Sequence, residues 1–425
     1  MVNRIWSVGA RVIGAAATML VVVACAATTP VPSTDTIPSS SPGRLASATA
    51  TPPDPTGTPT PTSEPSPAAT GFAAGLEIGR ISSAVSGAVL TFATDGASVL
   101  FASDRAEDAV SGSAPDLWRV TPGSGPEPKP ELVWRNPERS HSIVGIGGDL
   151  GTVAWVETPV SGEREWNLWL TPRAGGEPVL LDSHPGDESV SSLVPSFSIY
   201  EDTIVWSAFD LGPGGPVSQL KVARGPAWQA SVLAERSAEA AELWLPSLYG
   251  GQLAYTEVRY TADRSSDERH VYLVSLGTPD EPRRLDTSGR ATMPLSVDGA
   301  VIWKETDPGF NMFNWGRMVR YELATNRESP LPTEPQEYVN YPTAGSRYLA
   351  WWGADSFSFG VFDMLEGRPE RIATYSTESQ EGVLRPHASW DLIVWLHVDM
   401  DAPDGPTSEL RYATLPPLKP LPGDG

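Results

Sequence analysis

The chain has 425 residues and a formal net charge of -22 at pH 7, little of it in the first 75 residues. An acidic folded part is repelled by phosphate backbones and anionic lipid surfaces, which argues against nucleic acid as a partner. Its 15 tryptophans, 42 prolines and 39 glycines suit short strands joined by turns better than long helices.

Arg4 and Arg11 precede an apolar run from Val12 to Ala24, which is short for a bilayer span but fits the core of a secretory signal. The run ends in Val22-Val23-Ala24-Cys25, which resembles the lipobox of bacterial lipoproteins. The resemblance implies that Cys25 is lipidated and becomes the mature N-terminus, anchoring the protein to the outer side of the cell membrane. Cys25 is the single cysteine, so no disulfide can form within a monomer. An ordinary signal cut after Ala26 is the competing reading, since Ala24-Cys25-Ala26 also has the small-x-small form. Residues 1–24 are thus expected to be a signal peptide.

Residues 25–74 hold the lipidated cysteine and a linker rich in Thr, Pro, Ser and Ala, as in TPPDPTGTPTPTSEPSP at 51–67. Such a segment cannot bury enough surface to offset its ordering entropy, so a disordered tether is expected. In polyproline II it would reach up to ~140 Å from the anchor.

From residue 88 onward one unit recurs. It is a Gly- or Asp-bearing turn, an apolar strand closed by an aromatic, a polar loop, and further short strands. The closing aromatics Phe101, Trp155, Trp206, Tyr255, Trp303, Trp351 and Trp395 are spaced by 54, 51, 49, 48, 48 and 44 residues. Proline stands nine positions before the aromatic at Pro246, Pro294, Pro342 and Pro386, and is expected to open each first strand. Third strands are legible at 116–120, 167–171, 219–223, 270–276, 317–323, 359–365 and 409–415. Only the Ala/Glu run at 234–243 is a helix candidate. Seven copies of four strands predict an all-β fold, a seven-bladed β-propeller over 75–425 that follows the disordered linker. The seventh copy lacks a good fourth strand, because the chain ends in LPPLKPLPGDG. LEIGRIS at 76–82 is expected to supply it and latch the ring. The closing aromatics are expected to be wedges between blades.

The first copy, FATDGASVLFASDR followed by DLWRV and ELVW, resembles the propeller repeat of TolB and its relatives, within the wider WD-repeat-like group. ATDG at 93–96 and SVDG at 296–299 keep that family's Asp-Gly turn but lack its proline. The resemblance implies the fold and says little about activity, since such propellers occur in binding proteins, peptidases and lyases.

Turns between first and second strands are tight, whereas the loops between second and third strands are long, as at 103–116, 207–218, 258–269, 304–316 and 397–408. Binding is expected on that long-loop face. There Asp307, Phe310, Phe313, Trp315 and Arg317 of the fifth copy stand near Trp352, Asp355, Phe357 and Phe359 of the sixth. Exposed aromatics beside charged groups suit a protein or carbohydrate ligand; loop anchors are the competing reading. Asp399, Asp401 and Asp404 resemble a calcium loop, although Pro403 displaces the spacing and the closing glutamate is missing. Apart from calcium there, no cofactor is expected, and a monomer is expected.

No nucleophile elbow or H-E-x-x-H pattern is present in the sequence. A cell-surface propeller that binds a protein or glycan partner without catalysis is therefore the leading expectation. The alternative is a polysaccharide lyase or hydrolase built around His387, Arg385 and Asp391 at the channel mouth.

Overall fold

The computed structural model describes residues 76–81, 89–103, 115–123, 128–137, 140–160, 165–173, 175–186, 194–261, 267–306, 316–331, 339–345, 347–352, 358–364, 367–374, 381–399 and 407–415. Cys25 and residues 1–74, where the signal peptide and linker are expected, lie outside them. All regular structure in the described residues is strand, arranged as seven four-stranded antiparallel sheets.

Strand β1 (Ile78–Ile81) precedes the first blade, which consists of β2 (Val89–Thr94), β3 (Val99–Ser103), β4 (Asp116–Val120) and β5 (Glu131–Trp134). Blade two is β6 (His141–Asp149), β7 (Thr152–Pro159), β8 (Glu165–Thr171) and β9 (Val179–Pro185). Blade three is β10 (Phe197–Tyr200), β11 (Thr203–Gly212), β12 (Gly215–Arg224) and β13 (Ser231–Ser237). Blade four is β14 (Ala241–Tyr249), β15 (Gln252–Tyr260), β16 (Asp267–Ser275) and β17 (Thr278–Arg284). Blade five is β18 (Ala291–Val297), β19 (Ala300–Glu305), β20 (Arg317–Glu322) and β21 (Arg327–Pro330). Blade six is β22 (Asn340–Ala344), β23 (Tyr348–Trp352), β24 (Ser358–Asp363) and β25 (Arg368–Thr374). Blade seven has β26 (Glu381–Ser389), β27 (Leu392–Asp399) and β28 (Thr407–Thr414).

The seventh blade takes its fourth strand from the other end of the sequence. Antiparallel to β28, β1 pairs Ile78 with Ala413, Gly79 with Tyr412, Arg80 with Arg411 and Ile81 with Leu410. The latch expected from LEIGRIS is therefore present. First strands form the inner ring, each against the next, and β26 meets β2 to close it.

Second strands are buried along nearly their whole length, as in β3, β7 and β19. They lie between two neighbouring blades, so both faces need apolar side chains and the sequence reads as an unbroken run. Outer strands pay no such constraint; β13 and β21 are mostly exposed. This explains the helix-like Ala/Glu run, which the structure corrects: residues 231–237 and 241–249 are strands.

Each closing aromatic belongs to a core cluster shared with the preceding blade. Trp155 packs with Leu100, Ala102 and Leu117 of blade one, and Trp303 with Ala254 and Val271 of blade four. Trp395 packs with Tyr348, Ala350 and Phe359, and Phe101 closes the circle against Leu392 and Val394. The wedge expectation holds. Burial of each such ring is worth about 2–3 kcal/mol.

The prolines behave differently from expectation. They do not open the first strands but sit inside them at a β-bulge. Thr292 faces Lys304 and Leu295 faces Ile302, so Met293 and Pro294 together oppose Trp303. Leu245-Pro246 opposes Tyr255, Tyr341-Pro342 opposes Trp351, and Arg385-Pro386 opposes Trp395 in the same way. Leu245, Met293 and Tyr341 take φ of 51°, 53° and 44° there. A bulge leaves one residue without a ladder bond, and proline has no N–H to lose. The recurrent spacing from proline to aromatic is thus the distance around one hairpin.

Candidate binding surfaces

The turns between first and second strands surround one mouth of the central channel, and they are tied to one another. Trp390, in the turn of blade seven at φ 50°, donates from Nε1 to Asp149 Oδ1 of blade two at 2.6 Å. The other carboxylate oxygen accepts from the Glu201 backbone N–H of blade three, also at 2.6 Å. Between them lies blade one, whose Gly96 has φ 88° and no room for a side chain against the Trp390 indole. Farther round, Tyr200 and Tyr249 pack at 4.8 Å between ring centroids with planes inclined by 55°. Burial raises both phenol pKa values, and the carboxylates of Asp149 and Asp298 add to the shift, with Glu201 also acting on Tyr200.

Below the mouth, the inner strands are stitched by short polar side chains. Ser198 Oγ accepts from the Leu248 N–H, Ser247 Oγ from the Ser296 N–H, and Thr343 Oγ1 from the Ala388 N–H, at 3.0, 2.8 and 2.9 Å. His387 Nδ1 accepts from the Thr94 N–H at 3.4 Å and so carries any proton on Nε2. Burial lowers its pKa to about 4, keeping it neutral at pH 7. Asp391 lies in the turn of blade seven, where its carbonyl accepts from the Leu415 N–H. His387 is thus tied to a joint between blades.

Beside this mouth, between blades three and four, lies a cleft of about 570 Å³. Tyr200, Glu201, Thr203 and Arg224 of blade three and Leu248, Gln252, Ser275 and Leu276 of blade four line it. Gly250, Gly251 and Gly277 add bare backbone to its lining. The first two have φ of 55° and 75°, and a Cβ on either would meet nothing within 4 Å. Arg224 Nη2 donates to the Leu276 carbonyl at 3.2 Å, bridging the two blades. The volume falls in the range of small-molecule sites. The sequence points to the long-loop face instead, because the turns on this face are short. Short glycine turns are what leave the space.

On the opposite face, the expected loop residues are only partly placed. Asp307, Phe310, Phe313, Trp315, Asp355, Phe357, Asp401 and Asp404 lie outside the described residues. Arg317 opens β20 and is engaged by Glu305, with Nη2 and Nε at 2.7 and 2.9 Å from Oε2. Trp352 ends β23, half-buried against Tyr341 at 6.4 Å. Asp399 ends β27 opposite Thr407. Phe359, expected to be exposed, is instead fully buried and packs on Trp395 at 5.1 Å. The expected long loop at 207–218 is mostly a hairpin, in which Gly212 pairs with Gly215 around a two-residue turn. Beneath this hairpin a smaller crevice of about 130 Å³ is lined by Trp166, His184, Phe209 and Leu211. Its charges satisfy one another, since Asp182 accepts from Lys221 Nζ at 2.9 Å and Trp206 Nε1 at 2.8 Å. Among the described residues, no group of three or more His, Cys, Asp or Glu is arranged to hold a metal ion.

No family model matches the chain, and no curated protein matches it. Solved structures do. The β-propeller domain of the Trilobed protease from Pyrococcus furiosus, described as having an open velcro topology, superposes with a TM-score of 0.52. The identity is 8%, over 77% of this chain and 93% of that one. An oligogalacturonate lyase in complex with manganese gives 0.47 at 13% identity, over 76% of this chain and 87% of that one. TolB from Acinetobacter baumannii gives 0.40 at 13% identity, over 71% and 76%. Likeness at these identities is one of fold. The fold so defined is a β-propeller, here of seven blades and latched by β1 on β28.

Proposed function

We propose that the chain is an extracytoplasmic lipoprotein, held at the bacterial cell membrane through Cys25, whose propeller binds a protein or glycan partner without catalysis. The observation that carries the binding reading is the cleft between blades three and four, lined by turns of both. Residues of two blades line it, and the Arg224 bond to the Leu276 carbonyl links those blades beside it. His387 and Asp149 serve joints between blades, which favours binding over chemistry at the channel mouth. The lipobox and the Thr/Pro-rich tether suit a domain presented at a distance from its anchor.

Two variants test the reading. Cys25→Ser should move the protein from the membrane to the soluble fraction; unchanged membrane association would overturn the anchor. Gly277 has an ordinary φ, and its Cβ would meet only Ser275 Oγ at 3.7 Å, so Gly277→Trp fills the cleft without straining the fold. Capture of envelope components by the full chain should be lost in Gly277→Trp at unchanged Tm. Equal capture by both forms would place the binding elsewhere.

A further inference from the structure

Glycan and protein ligands would make different demands on the cleft between blades three and four, and its lining separates them. Leu248, which is buried, and Leu276, which is half-buried, are the aliphatic residues of its lining, so large hydrophobic side chains find little apolar surface there. Thr203, Gln252 and Ser275 instead supply hydroxyl and amide groups, each able to donate and accept. Glu201 adds an acceptor-only carboxylate and Arg224 a planar donor fork of which one N–H is occupied by Leu276. Half-buried Tyr200 adds an aromatic ring, pinned by its packing on Tyr249. An aromatic ring beside planar amide, carboxylate and guanidinium groups matches a ligand with an apolar C–H face and a rim of hydroxyls. Bare glycine backbone in the lining lets such a ligand approach closely.

Charge narrows the class. Glu201 lines the cleft, and the Asp149 carboxylate lies beside it, accepting from the Glu201 N–H at 2.6 Å. Arg224 is the one guanidinium in the described lining, and the whole chain is strongly acidic. A polyanionic chain would be repelled.

Resting on the reading of this cleft as the binding site, we propose that it takes a neutral saccharide chain, with a sugar ring against Tyr200 and its hydroxyls shared among Gln252, Ser275, Glu201 and Arg224. The saccharide lies on the face opposite the long loops. No covalent step is involved.

The test is calorimetric titration of the full chain in detergent with chitohexaose and with maltohexaose, and with polygalacturonate and a lysine-rich peptide as contrasting probes. At least one neutral hexasaccharide should bind, and polygalacturonate should not. Gln252→Ala and Gly277→Trp should each weaken the saccharide by about tenfold or more, equivalent to about 1.4 kcal/mol, at unchanged Tm. Absence of binding by both neutral sugars overturns the saccharide assignment, as does preference for the peptide or for polygalacturonate. If neither sugar binds while Gly277→Trp still abolishes envelope capture, the glycan assignment alone falls. If a sugar binds wild type and Gly277→Trp equally, the cleft falls with it.

Discussion

The indole N–H of Trp390 reaches past the turn of blade one to donate to Asp149 of blade two, and the same carboxylate holds the Glu201 N–H of blade three. One side chain thus ties the last blade to two early ones. Hydrogen bonds to a charged group contribute about 1.5–3 kcal/mol each. Asp149→Ala should lower stability by about 3 kcal/mol or more, whereas Asp149→Asn, which keeps an acceptor, and Trp390→Phe should cost less. Denaturant unfolding of the three variants checks the order.

The bulge and the wedge predict unequal costs for two residues that oppose each other. Trp303→Ala empties a fully buried site and should cost about 3–5 kcal/mol. Pro294→Ala removes no ladder bond, and its main effect is on the freedom of the unfolded chain, about 1 kcal/mol or less. Chemical denaturation midpoints of the two variants measure the difference; equal losses would contradict the bulge.

Lys304 is fully buried in β19, and Nζ has no hydrogen-bond partner among the described residues. Burial, helped by the nearby Arg269 guanidinium, lowers its pKa to about 7. Between that value and the ordinary lysine value the unfolded chain holds a proton that the folded chain does not, so stability should rise with pH across this window. Below about 7 the cost is fully present. Lys304→Met should therefore be more stable than wild type at pH 7, by up to about 5 kcal/mol at 1.36 kcal/mol per unit, and should lose the slope above pH 7. Thermal unfolding of both forms from pH 6 to 10 reads it.

His387 gives the corresponding effect on the acid side. With its pKa lowered to about 4 by burial, it stays neutral in the fold while the unfolded chain takes up a proton near 6.5. Stability that is full above 6.5 should decline as pH falls toward 4. His387→Gln, which can still accept from the Thr94 N–H, should flatten this part of the curve.

The repeat, the third strands and the latch were legible because second strands are squeezed between two blades and must be apolar throughout, and because β28 needed a partner. The prolines were misplaced because a bulge inside a strand and a strand start both tolerate a missing N–H. Residues 207–218 looked like a loop because Gly212, Pro213, Gly214 and Gly215 dominate the local signal, yet the flanking strands pair to the very turn. Nothing local marks Trp390 as a strap, since its acceptor lies 241 positions away. The cleft had no signal either. It consists of short turns from two copies, and only the ring brings Arg224 beside Leu276.

All of this rests on the closed ring, and the most direct measurement is a crosslink across the latch. Arg80 and Arg411 are opposed Cα partners in β1 and β28. In a Cys25→Ser background, Arg80→Cys with Arg411→Cys should oxidise to an intramolecular disulfide that raises Tm and joins the two ends of the propeller, visible as altered mobility before reduction. Free thiols after oxidation, in a protein that retains its β-sheet circular dichroism, would contradict the latched ring.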